Sequence, residues 1–393
     1  MHSQLKRLLW LHGSFLGVVI FSNLFINLYL WSVFKNFSRL GQYNLTVALF
    51  TLIGFVLGMY VIRLRNIRYS LAGAILCMLT LFLLLVFREK EIVEWLFLLG
   101  SLYGSSLGMY YSGFNLISFF LTGKEERDLF FGREQMLNRF VSLVTPLTFS
   151  FIVFWFGYKG AFSLISSILM ITVLLTFFIP KIKTDFTVVN LRYREVWQEY
   201  KNVLLSITGF GFLQSWIQIA SSVFLFFYLT DSTRVGLWNS VFATIGIGMG
   251  YWMSKFSKPK NRKYLALTGT ILLSGAALII FFPKAWTVLA FNVLAALTLP
   301  MIWLPITVVH YNRISDLSCP SIDNCRIGLS AHYLVIREFM LNLGRVLFFL
   351  LMALGLGYEG PNIPVYIVFV ILFLPIVIYR CNALFFVENK RNI

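Results

Sequence analysis

The fold of this chain is decided by residues 329–356, which read LSAHYLVIREFMLNLGRVLFFLLMALGL. The next apolar run begins at Ile363, after a turn at Gly357–Pro361. A transmembrane helix needs roughly 20 residues, so the uncharged stretch Val346–Leu356 is too short to cross a bilayer alone. The span must therefore begin near Leu329, and it carries charged side chains into the membrane.

Four polar residues lie inside this predicted span, namely Arg337, Glu338, Asn342 and Arg345. The spacing of the last three places them on one face of a helix. An ionisable group at that depth is destabilised by several kcal/mol unless it faces protein or a wet cavity. We therefore predict a functional role for this face. The alternative is a structural ion pair between Glu338 and either Arg337 or Arg345.

Composition extends the membrane assignment to the whole chain. Of its 393 residues, 59% are hydrophobic and 12% are charged, and the mean hydropathy is +0.79. The apolar runs are continuous, which favours helices over the alternating strands of a barrel. We predict an all-α polytopic protein with twelve transmembrane helices, at residues 8–32, 43–62, 69–87, 94–121, 134–156, 161–180, 203–229, 237–255, 264–283, 286–311, 329–356 and 363–380.

The net charge of +17 is distributed over short loops between the apolar runs. Such clusters are typical of topology signals, so we expect no nucleic-acid partner. Far more Lys and Arg residues lie inside than outside when the N-terminus is cytoplasmic, which predicts that both termini are cytoplasmic. We expect an integral protein of the bacterial plasma (inner) membrane. No cofactor or metal is expected, and Cys319 and Cys325 share a loop placed in the reducing cytoplasm.

Two short matches indicate an internal repeat. Leu40–Asn44 reads LGQYN and Val235–Asn239 reads VGLWN, at an offset of 195 residues. Gly157–Gly160 reads GYKG and Gly357–Gly360 reads GYEG, at an offset of 200. Two equivalent bundles of this kind can move about a site between them.

The repeat predicts two pseudo-symmetric six-helix bundles, at residues 1–180 and 203–393, joined by a cytoplasmic linker at 181–202. A third match pairs Arg133–Asn138 (REQMLN) with Arg337–Asn342 (REFMLN) at an offset of 204 residues. This offset exceeds the 200-residue offset of the GYKG and GYEG match by about one helical turn. Either one half has an inserted turn or this match is coincidental.

Twelve spans, internal termini, a six-plus-six repeat and a basic central loop together resemble the major facilitator superfamily. The signature loop of that family runs from a Gly through an Asp to a basic cluster. Here the loop after the second span begins at Gly58 and ends in a basic cluster, but Ile62 occupies the Asp position. In the loop after the eighth span, Ser254 occupies that position. The resemblance implies a secondary transporter and not an enzyme.

The resemblance also implies that the first and fourth helices of each half line a central cavity. Those helices carry polar stripes at helical spacing, and Arg345 adds a charge. The alternative for these amides is hydrogen bonding between helices, worth about 0.6 kcal/mol on average. The predicted substrate-binding residues are Asn23, Asn27, Tyr110, Tyr111, Asn115, Gln214, Trp216, Gln218, Trp303 and Arg345.

A second set of residues is predicted to serve coupling or gating. The two histidines near the cytoplasmic ends of spans, His12 and His310, are either solvated or part of a proton relay. Few carboxylates are embedded, which is thin machinery for obligate proton coupling. Besides proton coupling, passive exchange and coupling through the charge of the substrate itself therefore stay open. The predicted coupling or gating residues are Arg337, Glu338, Asn342, Arg139, Glu134 and His310.

The sequence thus predicts a monomeric permease that moves a small polar or anionic solute by alternating access. One alternative is a flippase or exporter of a lipid-like or amphipathic substrate, favoured by the aromatic-rich spans. A further alternative is a non-transporting receptor or scaffold, favoured by the missing Asp of both signature loops. Membrane lipids are expected partners in every case.

Overall fold

A computed structural model of the chain describes residues 3–88, 91–121, 124–179, 193–256, 260–280, 282, 284–316, 323–354 and 365–383. The regular structure within these ranges is helical, and they contain no strand. The helices in chain order are α1 (Ser3–Phe21), α2 (Asn27–Phe34), α3 (Phe37–Leu64), α4 (Ile67–Phe87), α5 (Ile92–Leu121), α6 (Lys124–Thr176), α7 (Tyr193–Ile219), α8 (Leu225–Leu229), α9 (Ser232–Phe256), α10 (Arg262–Ile279), α11 (Ala285–Asp316), α12 (Asp323–Ala353) and α13 (Val365–Ala383).

Each of the twelve predicted spans overlaps a helix of the described residues, and the all-α prediction is confirmed. Seven helical segments of the described chain are long and apolar enough to cross a membrane. Val370–Asn382 is a shorter apolar segment. Many large apolar side chains are exposed, for example Trp155 at 74% and Phe154 at 64%. Such exposure suits a protein whose outer surface faces lipid.

Helix boundaries differ from the prediction in three places. The fifth and sixth spans form one helical run, α6, with a break at Gly157, whose φ of 66° suits a residue without a side chain. The helix α12 begins at Asp323 and not near Leu329. The predicted linker 181–202 is partly helical, because α7 begins at Tyr193 and continues into the seventh span.

Both first helices contain a π-helical turn at an equivalent place. Ser22–Ile26 separates α1 from α2, and Ala220–Phe224 separates α7 from α8. The two turns lie 198 residues apart, close to the offsets of the predicted repeat. A π-helical turn is rare, so its recurrence supports two related halves.

The chain folds into two compact units. The first comprises Met1–Phe186, Asp231–Ser240 and Met352–Leu354. The second comprises Thr187–Thr230, Val241–Leu351 and Gly355–Ile393. The predicted bundle boundaries at 180 and 203 remain a prediction.

Glycines allow the helices of each unit to approach closely. In the first unit, a Cβ at Gly104 or Gly108 would overlap backbone of α3, at the carbonyl oxygens of Val47 and Thr51. In the second unit, a Cβ at Gly344 would overlap the carbonyl oxygen of Thr208 on α7. Small residues at helix crossings are the usual means of packing without water between helices.

The helix ends of the first unit are held by specific side chains. Asn36 caps α3 by accepting from the backbone N–H of Arg39 at 3.0 Å, and Asn66 caps α4 by accepting from that of Arg68 at 2.9 Å. The guanidinium of Arg68 donates to the backbone carbonyl of Ile179, just after α6. Part of the basic cluster after the second span therefore binds the end of the sixth span.

Candidate functional site

In the second unit, a polar cluster forms around the guanidinium of Arg345. It donates to Oε1 of Gln214 at 2.9 Å and to Oδ1 of Asn342 at 3.1 Å. The hydrogen bond between Arg345 and Gln214 joins α12 to α7. Next to it, the backbones of the two helices approach closely. A Cβ at Gly211 would overlap the carbonyl oxygen of Leu341. Three predicted site residues thus meet at one point.

The second charged group of α12 lies two turns earlier in the helix. Nη1 of Arg337 lies 3.4 Å from Oε1 of Glu338, and the two side chains are 19% and 17% exposed. Asn342 donates to the backbone carbonyl of Glu338 at 2.9 Å. Of the two ion pairs considered for Glu338, the structure shows the one with Arg337. Asn342 connects this pair to Arg345.

In the first unit, His12 and Glu134 form a second polar cluster. Nε2 of His12 lies 3.6 Å from Oε1 of Glu134, and the side chains are 2% and 13% exposed. Nδ1 of His12 lies 3.2 Å from the hydroxyl of Tyr110. Asn138 donates to Oε1 of Glu134 at 3.3 Å. Helices α1, α5 and α6 therefore each contribute side chains to one polar cluster.

Stacked rings accompany the cluster. The imidazole of His12 lies on Phe114 with centroids 3.9 Å apart and planes 12° apart. Tyr110 stacks on Phe15 at 3.7 Å, and Tyr111 contacts Tyr110 edge-on at 5.7 Å. These rings orient the imidazole edge, and with it both ring nitrogens.

The second unit has a comparable stack between α7 and α11. Trp303 lies on Phe210 with centroids 3.9 Å apart and planes 16° apart. Trp216 is fully buried against Phe224, Phe291 and Phe348. Trp303 thus stacks on another ring, while Trp216 lies in the core of its unit.

The two predicted asparagines of the first span bind neighbouring helices. Oδ1 of Asn27 accepts from Asn44 on α3 at 2.7 Å, and Asn27 is 1% exposed. Oδ1 of Asn23 accepts from the hydroxyl of Tyr103 on α5 at 2.8 Å. These contacts are hydrogen bonds between helices, which the sequence analysis gave as the alternative to lining a cavity.

The remaining predicted residues are Asn115, Gln218, Arg139 and His310. The side chains of Asn115 and Gln218 are half-buried, and their backbone carbonyls accept from nearby serines, Ser118 and Ser222. Arg139 is half-buried on α6. The side chain of His310 lies outside the described residues, as does that of Ser254.

Several participants were absent from the predicted set. Asn138 and Phe114 contact the His12–Glu134 group, and Phe210 supports Trp303. The signal for Asn138 was the third repeat match, in which it corresponds to Asn342. The aromatic partners had no distinctive signal in a chain with 41 Phe residues.

Known proteins resemble this chain along its length. The family model described as Major Facilitator Superfamily matches residues 11–316. The uncharacterized protein YqgE of Bacillus subtilis (strain 168) is 25% identical over 392 residues, covering 95% of this chain and 88% of that protein. An uncharacterized protein in the sodM 3' region of Geobacillus stearothermophilus is 27% identical over 150 residues, covering 38% of this chain and 70% of that protein.

Two solved structures share the fold. The crystal structure of the nucleoside transporter NupG superimposes with a TM-score of 0.68 at 13% identity, covering 100% of both chains. The crystal structure of a bacterial homologue of the iron transporter ferroportin in an inward-facing state superimposes with a TM-score of 0.67 at 13% identity, covering 98% of both chains.

Proposed function

The chain belongs to the major facilitator superfamily, and on that premise we propose that it moves a small polar or anionic solute by alternating access. Family membership makes it an integral membrane transporter and not an enzyme. The observation that supports an anionic cargo is the Arg345 cluster. It places a permanent positive charge at mid-span, between two helices of one unit.

The chemistry of this cluster suits an anionic group. An Arg guanidinium stays protonated in proteins, and its planar fork matches a carboxylate or a phosphate. Both amide acceptors, Gln214 and Asn342, are uncharged, and these two hydrogen bonds orient the guanidinium. Arg345 is half-buried, which leaves part of the group accessible to a solute.

The similar structures do not select a substrate. One is a nucleoside transporter and the other is a homologue of an iron transporter, and nucleosides and iron are chemically unrelated cargoes. The residues of the cluster therefore support the anionic assignment, and the shared fold supports transport alone.

A thermal-stability screen tests the proposal on many candidate cargoes at once. Purified protein is heated with a panel of carboxylated and phosphorylated metabolites and with their uncharged analogues. Ligand binding raises the unfolding temperature by mass action, so an anion of the panel should stabilise the wild type. Arg345→Gln should abolish that shift, whereas Arg88→Gln, at an exposed arginine of the other unit, should retain it. Stabilisation by uncharged analogues alone, or a shift that survives Arg345→Gln, would contradict the proposal.

The proposed arrangement in the cell has both termini in the cytoplasm and the protein acting as a monomer in a bacterial plasma membrane. The basic loops support the orientation, and the Bacillus and Geobacillus relatives support a bacterial setting. Cysteine labelling at the N-terminus from outside intact cells should fail and should succeed after permeabilisation. Labelling in intact cells would contradict the orientation.

A further inference from the structure

The third repeat match occupies equivalent packing positions in the two halves. In the first unit, a Cβ at Gly13 would lie 3.1 Å from the side chain of Leu137. In the second unit, a Cβ at Gly211 would overlap the carbonyl oxygen of Leu341. The glycines lie 198 residues apart, and Leu137 and Leu341 hold the same position of the REQMLN and REFMLN hexapeptides. The contacts support an inserted turn as the reason for the different offset.

This equivalence reveals a difference in chemistry. The residue before Gly13 is His12, and the residue before Gly211 is Phe210. Both rings stack on an aromatic ring with centroids 3.9 Å apart. The first half therefore has a titratable ring where the second half has an apolar one, and the titratable ring lies against the hexapeptide carboxylate, Glu134.

The hydrogen bonds around this pair suit two protonation states. When His12 is neutral, the hydroxyl of Tyr110 can donate to Nδ1, which leaves the proton of the ring on Nε2, facing Glu134. When His12 is protonated, the same hydroxyl can rotate and accept from Nδ1. Asn138 donates to Glu134 and so supports the ionised carboxylate.

Two buried polar atoms of this cluster can each form a further hydrogen bond. Among the described residues, Nε2 of His12 and Oδ1 of Asn138 have no hydrogen-bond partner. Nε2 lies 3.6 Å from the carboxylate oxygen, within ion-pair range but beyond a hydrogen bond. An ionised carboxylate in such a buried position is unfavourable. Binding of one proton removes the net charge of the pair.

We propose that His12 and Glu134 together bind one proton, and that this pair is the proton-coupling site of the transporter. Uptake of one proton from water changes the pair from a net charge of −1 to zero, whether nitrogen or oxygen holds it. The proton-binding site stands on the geometry of the first unit. Its link to transport rests on the proposed function. Tyr110 and Asn138 act as positioning residues.

Other titratable or charged side chains occur on the same packed helices. On α1 they are Lys6 and Arg7, and on the described part of α6 near Glu134 they are Arg133 and Arg139. On α5 they are Glu94, Tyr103, Tyr110 and Tyr111. Arg133 is exposed and Arg139 is half-buried. In model peptides tyrosine and arginine ionise well above neutral pH, so we assign the change of charge to His12 and Glu134.

Proton counting on purified protein tests the site without any substrate. The protein is moved from roughly pH 8 to pH 5, the range in which histidine normally titrates, and a soluble pH indicator reports the protons taken up. The double variant His12→Phe/Glu134→Gln should take up one proton fewer per molecule than the wild type. The Phe substitution copies the second half of the chain.

Controls separate the pair from a general effect. Glu91→Gln removes a surface carboxylate that pairs with Arg88 and should leave the coupled titration unchanged. Each single variant should shift the midpoint of the other group, because the two groups are coupled. Should His12→Phe fold poorly, His12→Gln provides a polar replacement. Equal uptake by wild type and double variant, or midpoints that do not respond to the partner's removal, would overturn the site.

A second measurement tests the link to transport. In proteoliposomes, the acceleration of uptake of the stabilising anion by an imposed pH gradient should be lost in His12→Phe and in Glu134→Gln, and kept in Glu91→Gln. Acceleration that persists in both pair variants would overturn the coupling role. If no panel solute is transported, the proposed function fails, while the proton count still decides the site.

Discussion

The two halves of the molecule share one scaffold and differ in what they place on it. Each has a π-helical turn in its first helix, a glycine of that helix against the hexapeptide leucine, and a stacked ring pair. On this common frame the first half carries the His12–Glu134 pair, and the second carries Arg345 with Gln214. We propose that the first group binds a proton, whereas the second presents an arginine, a residue type that stays charged.

A comparison of equivalent positions sharpens the contrast between the two halves. By the offsets of the packed glycines and hexapeptides, Gln214 corresponds to Leu16, and Arg345 corresponds to Val141. In the first half, Val141 lies against Gly17, where a Cβ would lie 3.6 Å from it. The two residues of the polar contact in one half therefore correspond to two apolar residues in the other. The comparison teaches that packing was conserved in the repeat while the polar chemistry diverged.

The largest expected effect comes from the scaffold itself. Gly344→Leu would place a side chain into the carbonyl of Thr208, so we expect a loss of unfolding free energy of about 3 kcal/mol. Gly275→Ala is the control, because a Cβ there would meet nothing within 4 Å. Denaturant unfolding of both variants measures the difference. Equal stability would show that the helix contact does not organise the second half.

The next effect tests the chemistry of the second half. Gln214→Leu copies Leu16 of the first half and removes one charge-assisted hydrogen bond to Arg345, which remains bonded to Asn342. A bond of this kind contributes about 1.5–3 kcal/mol, so we expect affinity for the stabilising anion to fall about 10- to 100-fold. Isothermal titration measures it. The reciprocal Leu16→Gln in the first half should leave affinity unchanged, and a comparable loss there would break the contrast between the halves.

The smallest effect compares the two π-helical turns. The hydroxyl of Tyr103 donates to Asn23 at 2.8 Å and approaches the carbonyl of Val19 at 3.3 Å, whereas Asn292 reaches Ala220 at 3.4 Å. Tyr103→Phe should reduce the unfolding free energy by about 1 kcal/mol, and Asn292→Ala by about 0.6 kcal/mol. Thermal unfolding resolves the order. A larger loss for the asparagine variant would show that the second turn depends more on its side-chain contact.

The residue pattern predicted much of the fold and part of the candidate site. The helices were predictable because continuous apolar runs of bilayer length have one stable form in lipid. The meeting of Asn342 with Arg345 was predictable because residues three apart on a helix are neighbours. By contrast, Asn27 lay on a predicted cavity stripe, yet it bonds to Asn44 in the bundle. A stripe identifies a face of a helix but not the neighbour that the face meets.

The amino-acid sequence by itself determined that this is a twelve-span helical membrane protein built from a repeat, since hydrocarbon thickness and backbone hydrogen bonding leave little choice. Only the tertiary structure decided that His12 meets Glu134, which lies more than a hundred residues away in the chain. That meeting depends on the rotation and spacing of three helices, set by close contacts such as that of Gly13 with Leu137. Small differences in such contacts determine which polar groups come within reach of one another.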